Sequence, residues 1–255
     1  MASNLTYRDE QLALYYSERK GPFTICRYSG NTVAFLPLPN ITQSYESIIA
    51  LARSQPPSAF YPPQTDSSII KGYQVQRDLI LRLYASTTTS VQETGFGALP
   101  AIPLTLLKPL SRGTILINST NALSAPLIDW GALTNPVDLD IMLAAMRKQR
   151  ELMATNAMME LGPVELAPGA NLTTDEELKG ALRRQMQPTY SHLCSTCSMM
   201  RRDYGGVVGP NLLVYGVKGL SVVDASIMPL IPATHTSATV YAVAEKVSLF
   251  VFIAF

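Results

Sequence analysis

Imidazole is the side chain whose ordinary pKa, about 6.5, lets it give and take protons near neutral pH. The chain has two, His192 and His235, both in its last quarter among small polar residues. A lone histidine is usually a surface or satisfied core residue, so what these two could do depends on the residues around them. His192-x-Cys194-x-x-Cys197 supplies three side chains able to bind zinc, and His235 could supply a fourth. A single Cys-x-x-Cys is a weak signal, and packed small residues are the reading preferred here over zinc or thiol redox chemistry. The third cysteine, Cys26, leaves an odd number, which argues against a disulfide framework.

The stretch from His192 through Cys194-Ser195-Thr196-Cys197-Ser198-Met199-Met200 leads to Gly205-Gly206-Val207-Val208. It continues as Val214-Tyr215-Gly216-Val217-Lys218-Gly219-Leu220-Ser221-Val222-Val223-Asp224-Ala225-Ser226. This order resembles the C-terminal signature of glucose-methanol-choline (GMC) oxidoreductases, in which a His precedes Thr-Cys-Ser-Met and a Gly-Val-x-Gly-Leu-x-Val-x-Asp run follows. His235 stands where that family carries its second His or Asn, and Tyr241 to Lys246 is similar to the helix closing the signature. Weaker similarity reaches upstream through Gly21-Pro22-Phe23-Thr24, Pro109-Leu110-Ser111-Arg112-Gly113-Thr114 and Asn135-Pro136-x-Asp138-Leu139-Asp140. In one respect the chain departs from the family, which begins with a Gly-rich strand-turn-helix holding the FAD pyrophosphate. No GxGxxG occurs in this sequence.

The resemblance implies oxidation of a small-molecule alcohol to a carbonyl, possible steps of secondary metabolism included, with FAD as hydride acceptor. A neutral His within hydrogen-bond reach of the hydroxyl would act as base, worth about 100- to 10,000-fold in rate. By resemblance His192 is that base, and His235 hydrogen-bonds the substrate oxygen. By resemblance also, Ala225, Thr236 and Ser237 approach the flavin, largely through backbone groups, and Asp224 ends the strand leading to them. The two rings should therefore share one point in space. Two other readings stay open: a non-redox cyclase or lyase using the same pair, and a truncated homologue without activity.

Several elements must position these residues. Thr6 to Lys20 reads as a helix stopped by Gly21-Pro22, and Gln43 to Gln55 as one stopped by Pro56-Pro57. Leu79 to Ala85, Ile102 to Leu107 and Thr114 to Ile117 read as strands, adjacent along the chain and so antiparallel. Asn135-Pro136 opens a helix to about Met153, with Asp138 and Asp140 near its positive end. Thr173 with Glu176 suggests a capping box for a helix to Met186. Leu220 to Val223 reads as a strand, and a final helix starts near Thr239. Met142 and Met146 fit a core stripe, Arg201-Arg202 a solvated turn, and Trp130 a loop. The fold class expected is α+β: an antiparallel sheet with flanking helices over residues 1–187, the substrate-binding part. Residues 188–255 would add the C-terminal strand and helix of an FAD-binding α/β domain.

Bulk properties exclude other classes. With 47% hydrophobic residues the chain can bury a real core. Twenty basic residues against nineteen acidic ones leave no basic stripe for nucleic acid. The apolar run from Val247 to Phe255 is about half of the roughly 20 residues a membrane span needs. The first residues show no basic segment followed by an apolar core, so no signal peptide is read and the cytosol is favoured for this chain, secretion being open to a longer form. Sequons at Asn4, Asn40, Asn118 and Asn171 would suit a glycoprotein, a reading set aside without a signal peptide.

Overall fold

The computed structural model of the chain describes residues 5–24, 32–96, 102–160 and 162–253. Cys26, the sequon at Asn4 and the side chains beyond Ser248 lie outside the described residues. In chain order the elements are α1 (Leu5–Glu18), β1 (Thr32–Leu36), α2 (Leu38–Ile41), α3 (Tyr45–Ser54), α4 (Ser67–Tyr84), β2 (Gln92–Phe96) and β3 (Leu104–Leu106). Then follow β4 (Thr114–Leu116), β5 (Leu127–Asp129), α5 (Pro136–Met153), α6 (Asn156–Met159), α7 (Asp175–Gln185) and α8 (Thr236–Ile253), with short 3-10 turns between.

The sheet is antiparallel, in the order β1-β2-β3. Leu36 pairs with Gln92 and Thr32 with Phe96, while Gln92 pairs with Leu106. A separate antiparallel hairpin joins β4 to β5, with Ile115 opposite Ile128. One core fills the space between this sheet and α2 to α5: Leu38, Ile49, Ala52, Ile80, Leu81, Tyr84, Val91, Leu110, Val137, Ile141 and Ala145 are all buried. A smaller cluster, Val208, Leu212 and Ile227, takes Val243 and Val247 of α8 as neighbours. Met142 and Met146 are buried as expected, and Arg201 pairs with Asp203 on the surface.

Helix α5 starts where Asn135-Pro136 places it, and the Asn135 side chain accepts the Val137 amide at 3.0 Å. Asp138 does more than face the dipole. Its buried carboxylate accepts the amides of Leu110 (2.7 Å) and Ser111 (2.8 Å), tying the loop after β3 to the helix. Burial pushes its pKa up, opposed by those same hydrogen bonds. Asp140 instead pairs with Lys179 of α7 at 2.7 Å.

Four expectations need correction. Leu79 to Ala85 is the last turn of α4 and its cap, not a strand. The capping box is one residue later, with Thr174 and Glu177 exchanging their bonds ahead of α7, because the helix begins at Asp175. Leu220 to Val223 makes no strand: Ser221 forms an isolated bridge with Leu213, in a segment with left-handed glycines at Gly216 and Gly219. Helix α8 begins at Thr236, three residues before the expected Thr239.

Two glycines decide how α4 meets the C-terminal segment. A Cβ on Gly72 would stand 2.1 Å from the Tyr204 carbonyl oxygen, and one on Gly206 would stand 1.9 Å from that of Met200. Gly72 lets the turn over residues 200–206 lie directly against the helix, and Gly206 lets that turn fold back on its own start at Met200.

Candidate active site

Each histidine sits on irregular chain, so its position is fixed by individual bonds rather than by a regular element. Around His192 the backbone is left-handed at Ser191 (φ 61°) and Ser195 (φ 75°), a conformation costing non-glycine residues about 1–2 kcal/mol. The bonds that hold it are specific. The Cys197 amide donates to Ser226 O (3.0 Å), the Met199 amide to Ile227 O (2.8 Å), and the Ser195 hydroxyl to Met228 O (2.7 Å). The His192 segment is thereby laced to the segment leading to His235.

That second segment is also gripped from the sheet and helix side. Gln76 of α4 donates to Pro229 O at 2.8 Å, and the Lys108 ammonium, after β3, donates to Ile231 O. Lys108 is buried, and burial lowers its pKa, with the Cys194 sulfur acting the other way. Replacing Ser195 by Ala should cost about 1 kcal/mol in a urea-unfolding experiment, the net worth of one hydrogen bond, since Ala keeps the strained backbone. An unchanged midpoint would show that the Met228 bond holds nothing.

The lacing brings the rings of His192 and His235 to 5.6 Å between centroids, tilted by 46°. His192 Nδ1 bonds the Tyr190 carbonyl. A carbonyl only accepts, so Nδ1 carries the proton and Nε2 of the neutral ring keeps its lone pair. The Tyr190 ring lies nearly parallel to that of His192, at 6°. His235 Nε2 bonds Glu93 Oε1 at 3.1 Å. Glu93 projects from the second position of β2 with its side chain 12% exposed, whereas that of His235 is 60% exposed. The arrangement is a carboxylate behind an imidazole, with a second imidazole beside it whose free nitrogen can accept a proton.

Of the remaining sequence candidates, Asp224 caps the turn Ala225–Ile227 by accepting the Ser226 amide at 2.8 Å. Ala225 lies in that turn, beside the Cys197–Ser226 bond. Thr236 and Ser237 are the first residues of α8, directly after His235, where amides have no carbonyl four residues back to bond. Such a helix start accepts an electron-rich ring oxygen or an anion. Cys194 and Cys197 are free and partly buried, and among the described residues no cluster of His, Cys, Asp and Glu is built to hold a metal. Glu93 escaped the sequence reading, because no motif surrounds it and 142 residues separate it from His235.

The family model described as GMC oxidoreductase matches residues 109–244. Dehydrogenase xptC of Emericella nidulans is 32% identical over 96% of the chain and 40% of its own length. A structure of an FAD-dependent oxidoreductase from Chaetomium thermophilum is 42% identical, with a TM-score of 0.89 over 96% of this chain and 42% of that one. A fungal aryl-alcohol oxidase is 34% identical with a TM-score of 0.83, over the same shares. The chain thus spans about two fifths of the length of these relatives.

Proposed function

The chain belongs to the GMC oxidoreductase family, and from that premise we propose that it forms the substrate-facing part of an FAD-dependent enzyme oxidising an alcohol to a carbonyl. The observation that carries the reading is the pair of rings 5.6 Å apart, one with its free nitrogen available and one backed by Glu93. His192 takes the hydroxyl proton at Nε2. His235, held by Glu93, keeps the substrate oxygen in place. The Glu93 carboxylate fixes the orientation of that ring through Nε2. Bound flavin supplies the acceptor for the hydride that leaves the carbon.

The residues present fit one end of that cofactor. Thr236 and Ser237 begin α8 directly after His235, and the turn at Asp224 and Ala225 is bonded to the His192 segment through the Cys197 amide, which supports a role for both beside a flavin ring. No Gly-rich turn for the pyrophosphate occurs in the sequence. We assign residues 1–187 to the substrate-binding part and 188–255 to the completion of the flavin domain; the two separate core clusters support that division. Among described residues no helix is long and apolar enough to cross a membrane. Secondary metabolism is the setting we favour.

The test is reduction of bound flavin by alcohols in the chain completed with a family flavin-binding part. Bleaching of the flavin with formation of one carbonyl per flavin is expected; product formed while the flavin stays oxidised overturns the reading in favour of a cyclase or lyase. The 255-residue chain alone is expected to be colourless after gel filtration, since most dinucleotide affinity comes from the phosphate-binding turn. A stoichiometric yellow spectrum would contradict this.

A further inference from the structure

We infer that Lys108, a buried ammonium with no part in the proton and hydride steps above, is a positioning residue that sets the spacing of His192 and His235. The inference rests on the proposed reading that both rings serve one substrate oxygen. A misplacement of about 1 Å can cost such a site about 100-fold in rate, so whatever fixes the two segments matters to the reaction.

The backbone around Lys108 is a rigid base. Just before it, the Leu107 amide donates to Val91 O at 2.8 Å. Its own carbonyl accepts the hydroxyl of the fully buried Tyr84. Just after it, the Leu110 and Ser111 amides are held by Asp138. From that base the side chain crosses to the segment leading to His235, where the ammonium donates to Ile231 O, 123 positions further on.

The receiving segment has little of its own to hold it. Pro229 and Pro232 carry no amide hydrogen, and among the described residues no backbone–backbone hydrogen bond involves residues 229–233. Side chains take its carbonyls instead, Gln76 that of Pro229 and Lys108 that of Ile231, the nearer of the two to His235. The same ammonium is within electrostatic reach of the Cys194 sulfur, two residues after His192. One charge thus bears on both histidine segments.

That charge is held at a cost. Lys108 is 5% exposed, shut in by this chain's own residues, and among the described residues no carboxylate pairs with it. Burying a charge without an opposite partner is unfavourable, and a neutral amide could bond a carbonyl without that penalty. What the ammonium adds is a bond about twice as strong as a neutral one. Such a tie suits a site whose groups must stay within about 0.5 Å of their working positions.

The test uses the chain completed with a family flavin-binding part. Lys108→Met nearly keeps the length of the side chain and removes both charge and donor. Flavin reduction by alcohol should slow about tenfold or more, the rate equivalent of one charged hydrogen bond. The thermal midpoint should stay level or rise, because loss of the bond is offset by relief of the buried charge. In a crystal structure of the variant the two rings should no longer stand 5.6 Å apart. In Lys108→Ala, added propylammonium should restore part of the lost rate, and propionamide, similar in size but uncharged, should not. Full speed in Lys108→Met, a rate that falls only in step with a lowered midpoint, unchanged ring spacing, or equal effects of the two additives each overturn the inference. Failure of the unsubstituted enzyme to bleach its flavin counts against the proposed reaction instead. Ring spacing is read without any alcohol, so the two fail separately.

Discussion

His192→Ala should slow flavin reduction by the substrate about 100-fold or more in the completed enzyme, the lower end of what a positioned proton acceptor contributes. Flavin binding should be unaffected, because the ring's own anchor is the Tyr190 carbonyl. His235→Asn should be milder, since an amide still hydrogen-bonds the substrate oxygen, and His235→Ala should fall between the two. Glu93→Gln keeps the shape of the site but removes the charged partner of His235. A hydrogen bond to a charged group is worth about 1.5–3 kcal/mol, so a loss of about tenfold or more is expected. Stopped-flow reduction isolates the step from reoxidation. The ordering is the sensitive part. A nearly silent His192→Ala beside a crippled His235→Asn would exchange the two roles and make His235 the base.

Gly72→Ala should destabilise the protein, although the residue lies inside a helix. Helix propensity alone favours Ala over Gly by about 1 kcal/mol. Against that, the new Cβ would meet the Tyr204 carbonyl at 2.1 Å, far inside contact distance. The obstacle is backbone, so either the helix or the 200–206 turn must move, and overpacking of this kind costs about 1–3 kcal/mol. Gln76, one turn further along α4, would move with it and loosen its bond to Pro229 O. Urea unfolding should show a net loss. A gain of about 1 kcal/mol would mean that the turn yields without cost, and that α4 does not set the position of His235.

The residues that gave the site away in the sequence are those with punctuation or motif around them. Asn135-Pro136 announces α5 because an N-cap and a first-turn proline act locally. His192 and His235 stand out because they are the only imidazoles and lie in an ordered signature. What stayed illegible depends on partners far along the chain. The run Leu79 to Tyr84 resembles a buried strand, and its helical period shows only once Tyr73 and Arg77 are counted in the same buried stripe. Arg77 breaks the apolar pattern, yet it is buried because its guanidinium donates to Gln55 O. Strand β2 fails the usual test for the opposite reason. Gln92, Glu93 and Thr94 are all buried in it, so no apolar alternation marks it. Its polar content has two sources: Gln92 donates to the Thr94 hydroxyl on one face, and Glu93 meets His235 on the other.

The bonds that fix His235 join residues 153, 142 and 123 positions apart, at Gln76, Glu93 and Lys108. Closing such long loops gives up chain entropy that grows with the logarithm of their length, before any local contact repays it. A ribosome delivers the chain from its N-terminal end, so all three side chains emerge long before their partners do. Until then a carboxylate and an ammonium that end up buried have only water to satisfy them, and the cleft they line stays open and hydrated. The histidine pair is therefore assembled only after synthesis has passed His235. A chain cut before Pro229 would leave Gln76, Glu93 and Lys108 without these three partners, and the side of the cleft they form would stay hydrated.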